Sequence, residues 1–446
     1  MSGPLAGKTI VLGITGGIAA YKAATVCGRL VSLGAEVRVI MTDGAQRFIA
    51  PLTLQTLSRH PVATDTFDER DASKVQHIDW ADAADLVVVA PATANIIGKM
   101  AAGIADDMLS TTLLATTAPV LIAPAMNVHM LEHPAVVRNL QTLAERGVRF
   151  VEPGTGQLAC GYVGKGRLAE PDDIAAAAAR LLATDKPLAG RRVLVTAGGT
   201  IERIDPVRYI TNDSSGKMGF ALAETALLLG ADVTLVCART DGAPPAGTKL
   251  VSVRSAEEML EAVMARAGEM DAIVMAAAVA DYRPKAPLER KMKKGPETLT
   301  LELVRNPDIL QKVGEWKADR IHSGKTPFVI GFAAETDEVE KHATDKLRRK
   351  RCDLIVANDV SQEGAGFGAD TNIVSVYGPE GLVESLPLQS KRAAAERIWR
   401  IAAARPPWRE AGEAAKAGQP AAAAADSRTV PASSGRPAAT GEAADA

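Results

Sequence analysis

Cysteine is scarce in this sequence, with four residues in 446 and no CxxC pair among them. So few and so widely spaced thiols exclude a disulfide framework and a zinc ribbon. No apolar run reaches the roughly 18 residues that a membrane-spanning helix needs, and the first residues lack the order of a secretory signal peptide. We therefore expect a cytoplasmic protein with no membrane partner.

The sequence also lacks an excess of charge of either sign, because 53 acidic residues nearly cancel 51 basic ones and leave a net charge of -2. A nucleic acid is therefore not expected as a partner. The length allows two or three domains, and 47% apolar residues are enough to build a core in each of them.

The chain repeats its own pattern, which predicts two α/β domains. Three segments of the first half recur in the second: KTIVLGITGG as RRVLVTAGGT, GAEVRVIM as GADVTLVC, and DLVVVAPA as DAIVMAAA. An apolar strand, a glycine-rich turn and a helix open each half, as in doubly wound, Rossmann-like parallel sheets. We predict domains at 1–186 and 187–405. The tail at 406–446 is predicted to be disordered, because it is rich in alanine and poor in large apolar residues.

The first glycine-rich turn, Gly16-Gly17, follows a strand and opens a helix. Backbone N–H groups at a helix N-terminus favour an anion, and glycines let a phosphate approach closely. The turn is not GxGxxG, so it does not specify a dinucleotide. A phosphate site and a plain tight turn both remain open.

Several polar residues of the first half are candidates for chemistry. Asn127 follows a strand in PAMN, where its amide can hold a carboxylate or a flavin edge, or cap a helix. His77, in KVQHIDW, would by itself be interpreted as a surface histidine. His129 and His133 have the i, i+4 spacing of two metal ligands, but no third ligand is evident. Cys160 lies in the glycine-dense stretch GTGQLACGYVGKGRL, which is typical of a loop that folds over a site.

GITGGIAAYK, PATAN, PAMN and the ACG-containing loop together resemble the flavin-dependent cysteine decarboxylases. Among these, they are most similar to the decarboxylase half of the bifunctional phosphopantothenoylcysteine decarboxylase/phosphopantothenate–cysteine ligases of coenzyme A synthesis. The resemblance implies a flavodoxin-like first domain that binds FMN. Tyr162 departs from the family, which commonly has an acidic residue after ACG. The implied flavin contacts are Gly16, Gly17, Thr42, Thr93 and Asn95.

The same resemblance implies a reaction and a role for three residues. In this reaction flavin would oxidise the cysteine thiol to a thioaldehyde, whose C=S group accepts the electrons that remain when CO2 leaves, and reduced flavin would then return the hydride. His77 would act as the base, Asn127 would hold the carboxylate, and Cys160 would supply a proton to carbon.

In the second half, SSGK (214–217) precedes a periodic helix, which it can cap or where it can bind an anion. It is not a Walker A motif. The basic run RKMKK (290–294) and the i, i+4 pair Lys346 and Lys350 can grip a triphosphate or form a solvated face. The residues alone leave these alternatives open.

DPVRYITNDSSGKMG, AAAVADYRP, KMKK, NPDIL and GFAAET, in that order, resemble the ligase half of the same bifunctional family. The resemblance implies that CTP activates the carboxylate of 4'-phosphopantothenate as an acyl-cytidylate, and that the amine of L-cysteine then displaces CMP. Asn212 would hold the acyl-cytidylate. Asp281 would contact the cytidine or Mg2+, which neutralises the triphosphate. The implied nucleotide contacts are Asp281, Lys291, Pro307, Asp308, Ile309, Leu310, Phe332, Lys346 and Lys350.

Two other functions compete with this interpretation. A nicotinamide-dependent dehydrogenase would need GxGxxG and an acidic residue about 20 positions later, and neither half has the glycine motif. A non-enzymatic flavoprotein regulatory subunit would not need His77, Asn127 and Cys160 together. The resemblance also implies a homo-oligomer, with a trimer-based first domain and paired second domains that would assemble into a dodecamer.

Overall fold

The computed structural model describes residues 3–69, 72–157, 161–293, 300–320, 326–335, 339–359, 366, 368–406 and 408. The chain divides into two compact units, 1–402 and 403–446. The large sheets described below both lie in the first unit. Apart from 406 and 408, the predicted tail lies outside the described residues, and so does Cys160.

The first half is built on a parallel sheet. Within the described chain its strands are β1 (Thr9–Ile14), β2 (Glu36–Met41), β3 (Val62–Ala63), β4 (Leu86–Ala92), β5 (Val120–Pro124) and β6 (Arg149–Phe150). Their order is β3-β2-β1-β4-β5-β6. Without the two-residue edge strand β3, this is the 2-1-3-4-5 order of flavodoxin-like sheets. The predicted doubly wound, flavodoxin-like fold is confirmed.

Helices cover both faces of this sheet. They are a 3-10 helix (Ile18–Lys22), α1 (Ala23–Ser32), α2 (Asp43–Gln46), α3 (Pro51–Ser58), α4 (Gln76–Ala83), α5 (Ala94–Ala102), α6 (Met108–Ala115), α7 (Val128–Leu131), α8 (Pro134–Glu145) and α9 (Pro171–Leu182). Ile10 and Leu12 of β1 lie in one core cluster with α1 and α9, whereas Val11 lies in another with α5 and α6. Both faces are buried, which explains why these strands are continuous apolar runs.

The second half also contains a large sheet. Chain order gives β7 (Gly154–Gln157) and β8 (Val163–Arg167) of the first half, then β9 (Arg192–Ala197), β10 (Ile201–Arg203), β11 (Tyr209–Thr211), β12 (Asp232–Cys237), β13 (Lys249–Ser252), β14 (Ala272–Met275), β15 (Tyr282–Pro284), β16 (Leu303–Arg305), β17 (Phe328–Glu335), β18 (Leu354–Asp359), β19 (Thr371–Gly378) and β20 (Gly381–Ser390). In the described residues the large sheet has the order β13-β12-β9-β14-β17-β18-β19-β20.

The first six strands in this order, from β13 through β12, β9, β14 and β17 to β18, pair in parallel, which confirms the doubly wound prediction for the second half. The pairs β18-β19 and β19-β20 are antiparallel, an extension that the sequence pattern did not predict. The turn between Gly378 and Gly381 is too short for the crossover that a parallel partner needs. Two small antiparallel sheets, β10-β11 and β15-β16, lie outside it.

The helices of the second half are α10 (Lys217–Leu228), α11 (Ala256–Met264), a 3-10 helix (Ala267–Glu269), α12 (Ile309–Asp319), α13 (Val339–Lys350) and α14 (Lys391–Ala403). A membrane could not be crossed by any helix in the described part of the chain, because none is both long and apolar enough.

Candidate functional sites

The Gly16-Gly17 turn lies where the strand order of the first sheet reverses, between the carboxyl ends of β1 and β4. Thr15 joins these two ends. Its hydroxyl donates to the carbonyl of Pro91 (2.7 Å) and accepts from the N–H of Thr93 (3.1 Å). Ligands of doubly wound sheets bind in the crevice at such a reversal.

The two glycines of this turn differ in whether the surrounding chain leaves room for a side chain. A Cβ on Gly16 would lie 2.7 Å from the Cα of Gly44, so packing within the chain forbids a side chain there. A Cβ on Gly17 would meet only Thr93, at an ordinary 3.6 Å, and the extended backbone of Gly17 (φ -159°) suits any residue. Nothing in the described chain requires glycine at 17, whereas a ligand against this helix N-terminus would.

A cavity of about 1330 Å³ opens at this edge of the first sheet. It exceeds the roughly 300–1,000 Å³ of most small-molecule sites, so a cofactor and a substrate can share it. The structure brings together all five predicted flavin contacts and the predicted substrate-binding asparagine in its wall: Gly16, Gly17, Thr42, Thr93, Asn95 and Asn127.

Basic side chains in the cavity wall are already paired with carboxylates. Lys22 and Arg167 both contact Glu170, at 3.3 and 3.4 Å. Lys99 contacts the adjacent aspartates 106 and 107, at 2.5 and 2.9 Å. Burial acts to lower the pKa of Lys99, but the two carboxylates outweigh it and raise the pKa, so this ammonium group stays charged.

Asn127 follows β5 and caps α7, because its Oδ1 accepts from the N–H of His129 (2.8 Å). The predicted helix cap is therefore present, and the same residue lines the cavity. The β7-β8 hairpin lies beside it, since the N–H of Met126 donates to the carbonyl of Gly166 (3.0 Å). Tyr162 meets His129 edge-on, with ring centroids 5.1 Å apart.

His77 lies on α4 and is not among the residues that line this cavity. Its Nδ1 is buried and has no hydrogen-bond partner among the described residues. The structure therefore does not bring the predicted base next to Asn127 within one copy of the chain. The predicted proton donor Cys160 lies between β7 and β8, outside the described residues.

The second sheet reverses its strand order between β9 and β14, and Gly198-Gly199-Thr200 follows β9 at this point. Gly199 forms bridges to Arg239, after β12, and to Ala278, after β14. The hydroxyl of Thr200 accepts from the N–H of Ala280 (3.0 Å). The two halves thus place similar glycine turns at equivalent positions.

Exposed Asn212 and Asp281 lie close to this turn. The Nδ2 of Asn212 donates to the carbonyl of Val279 (3.0 Å), and the carbonyl of Asp281 accepts from the N–H of Asn306 (2.8 Å). Asn306 is buried, and its Nδ2 donates to the carbonyl of Ala280 (2.8 Å). Asn306, the first residue of NPDIL, was not among the predicted contacts; its side chain links this motif to the loop that contains Asp281.

Asp308 caps α12 and pairs with Lys350, another of the predicted nucleotide contacts. Its Oδ1 accepts from the N–H of Gln311 (2.9 Å), and its Oδ2 forms an ion pair with Lys350. Burial acts to raise the pKa of Asp308, but Lys350, the Gln311 N–H and Lys346 outweigh it and lower the pKa. The Nζ of Lys346 donates to the carbonyl of Phe332 (2.9 Å).

Other predicted nucleotide contacts differ in their access to a ligand. The side chains of Ile309 and Leu310 lie in the hydrophobic core, so only their main-chain groups can contact a nucleotide. Lys350 is buried against Asp308. Lys291 is exposed, in a segment that is fixed through its neighbour Met292.

A metal would have few protein ligands here. The described residues contain no group of three or more His, Cys, Asp or Glu that could hold a metal. His133 accepts from the N–H of Ala135 (3.2 Å) and caps α8, which is not the role of a metal ligand paired with His129. The exposed carboxylate of Asp281 suits the Mg2+ of a nucleotide, which usually takes one or two carboxylates and completes its shell with phosphate and water.

Comparison with known proteins gives two adjacent family matches. The Flavoprotein family model matches residues 1–183, and the DNA/pantothenate metabolism flavoprotein C-terminal domain matches residues 188–405. The first half is therefore a flavoprotein domain.

Three relatives carry the name coenzyme A biosynthesis bifunctional protein CoaBC. The Bacillus subtilis protein is 54% identical over 387 residues, which cover 86% of this chain and 94% of the relative. The Vibrio cholerae protein is 49% identical, with 89% and 98% covered, and the Mycobacterium tuberculosis protein is 46% identical, with 88% and 95% covered.

The two family matches extend over both sheets and end at residue 405, before the alanine-rich tail. The predicted family is confirmed, and so is the prediction of an enzyme that combines a decarboxylase with a ligase. The chain belongs to the bifunctional coenzyme A biosynthesis proteins of the CoaBC family.

Proposed function

We propose that the second half joins L-cysteine to 4'-phosphopantothenate with CTP, and that the first half decarboxylates the adduct to 4'-phosphopantetheine with FMN. The observation that carries the proposal is the cavity at the reversal of the first sheet, which collects Gly17, Thr42, Thr93, Asn95 and Asn127 in one wall. A similar turn at the reversal of the second sheet supports a second site.

FMN suits the first cavity in shape and chemistry. Gly17 keeps the helix N-terminus open to a phosphate, and no neighbour in the described chain requires glycine there. Thr42 and Thr93 supply hydroxyl groups at the ends of β2 and β4, and Asn95 supplies an exposed amide. The chemistry that FMN would supply there is a reversible two-electron oxidation: the substrate thiol would be oxidised to a thioaldehyde, which could accept the electrons left when CO2 departs, and the hydride would then return to the product and restore the thiol.

The chain's own residues bind the substrate and move protons. Asn127 holds the substrate carboxylate through its Nδ2, because its Oδ1 accepts from the N–H of His129. Cys160 gives a proton to carbon, and His77 takes one from the substrate. Since His77 does not line the cavity that contains Asn127, we propose that it serves the cavity of a second copy.

A homo-oligomer would also cover apolar surface at the mouth of the cavity. Ile18, Tyr21 and Phe67 line the cavity and are 60%, 57% and 90% exposed. Large apolar side chains gathered in this way are typical of an interaction surface. We propose contacts between first domains at this surface and a dodecamer as the complete assembly.

In the second half, Asn212 holds the acyl-cytidylate and Asp281 contacts the cytidine or its Mg2+. Lys291, Lys346 and the start of α12 at Asp308 bind the nucleotide. Support comes from the hydrogen bonds that join Asn212 to Val279 and Asn306 to Asp281. Pro307, Ile309, Leu310, Phe332 and Lys350 complete the proposed nucleotide site.

The proposed domain limits are 1–186 and 187–405, followed by a disordered tail. The two family matches support the first limit, because one ends at 183 and the next begins at 188. The proposal includes a cytoplasmic location.

The test is incubation of the purified protein with 4'-phosphopantothenate, cysteine and CTP, and in parallel with ATP in place of CTP. We expect pyrophosphate and CO2 with CTP, little of either with ATP, and a yellow protein. Pyrophosphate without CO2 would contradict the decarboxylase assignment alone. A colourless protein that rejects added flavin and ignores CTP would contradict both.

A further inference from the structure

Asp205 is a buried carboxylate that no step above uses. Its side chain is 0% exposed. Its Oδ1 accepts from the N–H groups of Val207 and Arg208, both at 2.8 Å. Its Oδ2 accepts from the N–H of Met292 (3.2 Å) and pairs with the Nε of Arg208 (3.0 Å).

Met292 is held by both of its main-chain groups. Asp205 accepts from its N–H, and the Nη2 of Arg208 donates to its carbonyl (2.6 Å). A third contact joins the same two segments, because the N–H of Leu288 donates to the carbonyl of Ile204 (2.9 Å). Residues 288–292 are thereby tied to the turn between β10 and β11.

The Asp205 carboxylate is ionised at neutral pH. Burial acts to raise its pKa, but the three N–H donors and the Arg208 guanidinium outweigh this effect and lower the pKa to about 2. A carboxylate that is ionised at neutral pH attracts N–H donors more strongly than a neutral oxygen does.

We propose that Asp205 is a positioning residue of the ligase site, which fixes the main chain next to Lys291 so that its ammonium group reaches the nucleotide. A lysine side chain loses rotamer freedom when it binds an anion, and a fixed main chain reduces the further loss on binding. The assignment rests on the proposed nucleotide contact of Lys291.

Asp205→Asn is the sharpest variant. The two N–H donors at Oδ1 keep the amide oxygen on their side, so the NH2 group must face Met292 and Arg208. Both contacts of Oδ2, to the Met292 N–H and to the Arg208 Nε, are then lost, whereas the two contacts of Oδ1 remain. Glu202→Gln is the matched control. Glu202 is a buried carboxylate of the same hairpin, but its Oε1 accepts from the N–H of Ala256 (3.0 Å).

The first measurement is amide hydrogen exchange in the full chain without nucleotide. We expect faster exchange in residues 288–293 of Asp205→Asn and unchanged exchange there in Glu202→Gln. Unchanged exchange in Asp205→Asn would overturn the proposal. Arg208→Lys, which retains a charge but shortens the reach to the Met292 carbonyl, provides a second variant if Asp205→Asn does not fold, with the same expectation.

The second measurement is ligase kinetics in a double-mutant cycle with Lys291→Ala. We expect Asp205→Asn to raise the KM for CTP about tenfold with a smaller change in kcat, and to have little further effect once Lys291 is alanine. Additive effects would overturn the proposal. If Lys291→Ala leaves the KM unchanged, the nucleotide role of Lys291 fails, whereas faster exchange would still establish the anchor.

Discussion

Lys350 forms an ion pair with Asp308, and only 6% of the Lys350 side chain is exposed. The other oxygen of Asp308 caps α12 by accepting from the N–H of Gln311. Lys350 therefore acts in this structure by holding the first turn of α12, where the predicted nucleotide contacts begin.

Lys350→Ala should lower ligase kcat/KM about tenfold and leave decarboxylation of a supplied adduct unchanged. We expect a loss of about 1–2 kcal/mol in the free energy of unfolding, because the variant removes a partner of a half-exposed carboxylate. Lys312→Ala is the control, since Lys312 pairs with Glu315 at the surface of the same helix. Equal ligase rates in the two variants would contradict the role given to Lys350.

Gly17→Ala should yield a protein with several-fold less bound flavin and an otherwise unchanged fold. The added Cβ fits the chain itself, with Thr93 as its nearest neighbour at 3.6 Å, so it can interfere only with a ligand. Visible absorbance of the purified protein measures the flavin content. Gly28→Ala, in α1 with open space around its Cβ, should retain flavin and gain about 0.5–1 kcal/mol of stability. Full flavin content in Gly17→Ala would contradict the phosphate cradle.

The fold could be predicted from sequence because both sheets are covered on two faces. Their strands are therefore uninterrupted apolar runs, such as Leu86–Ala92, and glycine turns follow the first strand of each half. Strands β19 and β20 were missed, because they are not continuous buried runs: the first half of β19 alternates half-buried with buried residues, and Leu386 is the one buried residue of β20.

The sites were predictable where a motif follows a strand. Asn127 and the Gly16-Gly17 turn lie together for that reason. Contacts between residues distant in sequence were not predictable, since nothing local marks the approach of Asp205 to Met292 or of Lys350 to Asp308. The sequence likewise contained no local indication that His77 would not line the cavity.

Asn212→Asp should impair ligation by tenfold or more and spare decarboxylation. The Nδ2 of Asn212 donates to the carbonyl of Val279, and a carboxylate there would place two acceptors against each other. It would also repel the phosphate of an acyl-nucleotide. Pyrophosphate release from CTP measures ligation, and CO2 release from supplied adduct is the internal control. An unchanged ligase rate would remove Asn212 from the site.

Cys160→Ser should leave CTP-dependent ligation intact and stop release of 4'-phosphopantetheine. A serine hydroxyl is a much weaker acid than a thiol, whose ordinary pKa is about 8.5. The other three thiols are buried and do not line the cavity, and burial raises the pKa of each, to about 11 for Cys27 and about 12 for Cys352. The measurement is the amount of 4'-phosphopantetheine released when the variant is incubated with the adduct. Normal product release would exclude Cys160 as the proton donor.

Asp205 should contribute to stability above about pH 4 and lose that contribution in stronger acid. Its pKa in the folded chain is lowered to about 2 from an ordinary 3.8, so the folded state binds this proton less readily than the unfolded state. The stabilisation is complete above 3.8 and is lost as the pH falls through 2. In urea unfolding, the midpoint difference between the wild type and Asp205→Asn should be constant from pH 7 to about pH 4 and should shrink towards pH 2. Other carboxylates titrate in both proteins and cancel in this difference. A difference that stays constant down to pH 2 would mean that the charge of Asp205 does not hold the Met292 segment.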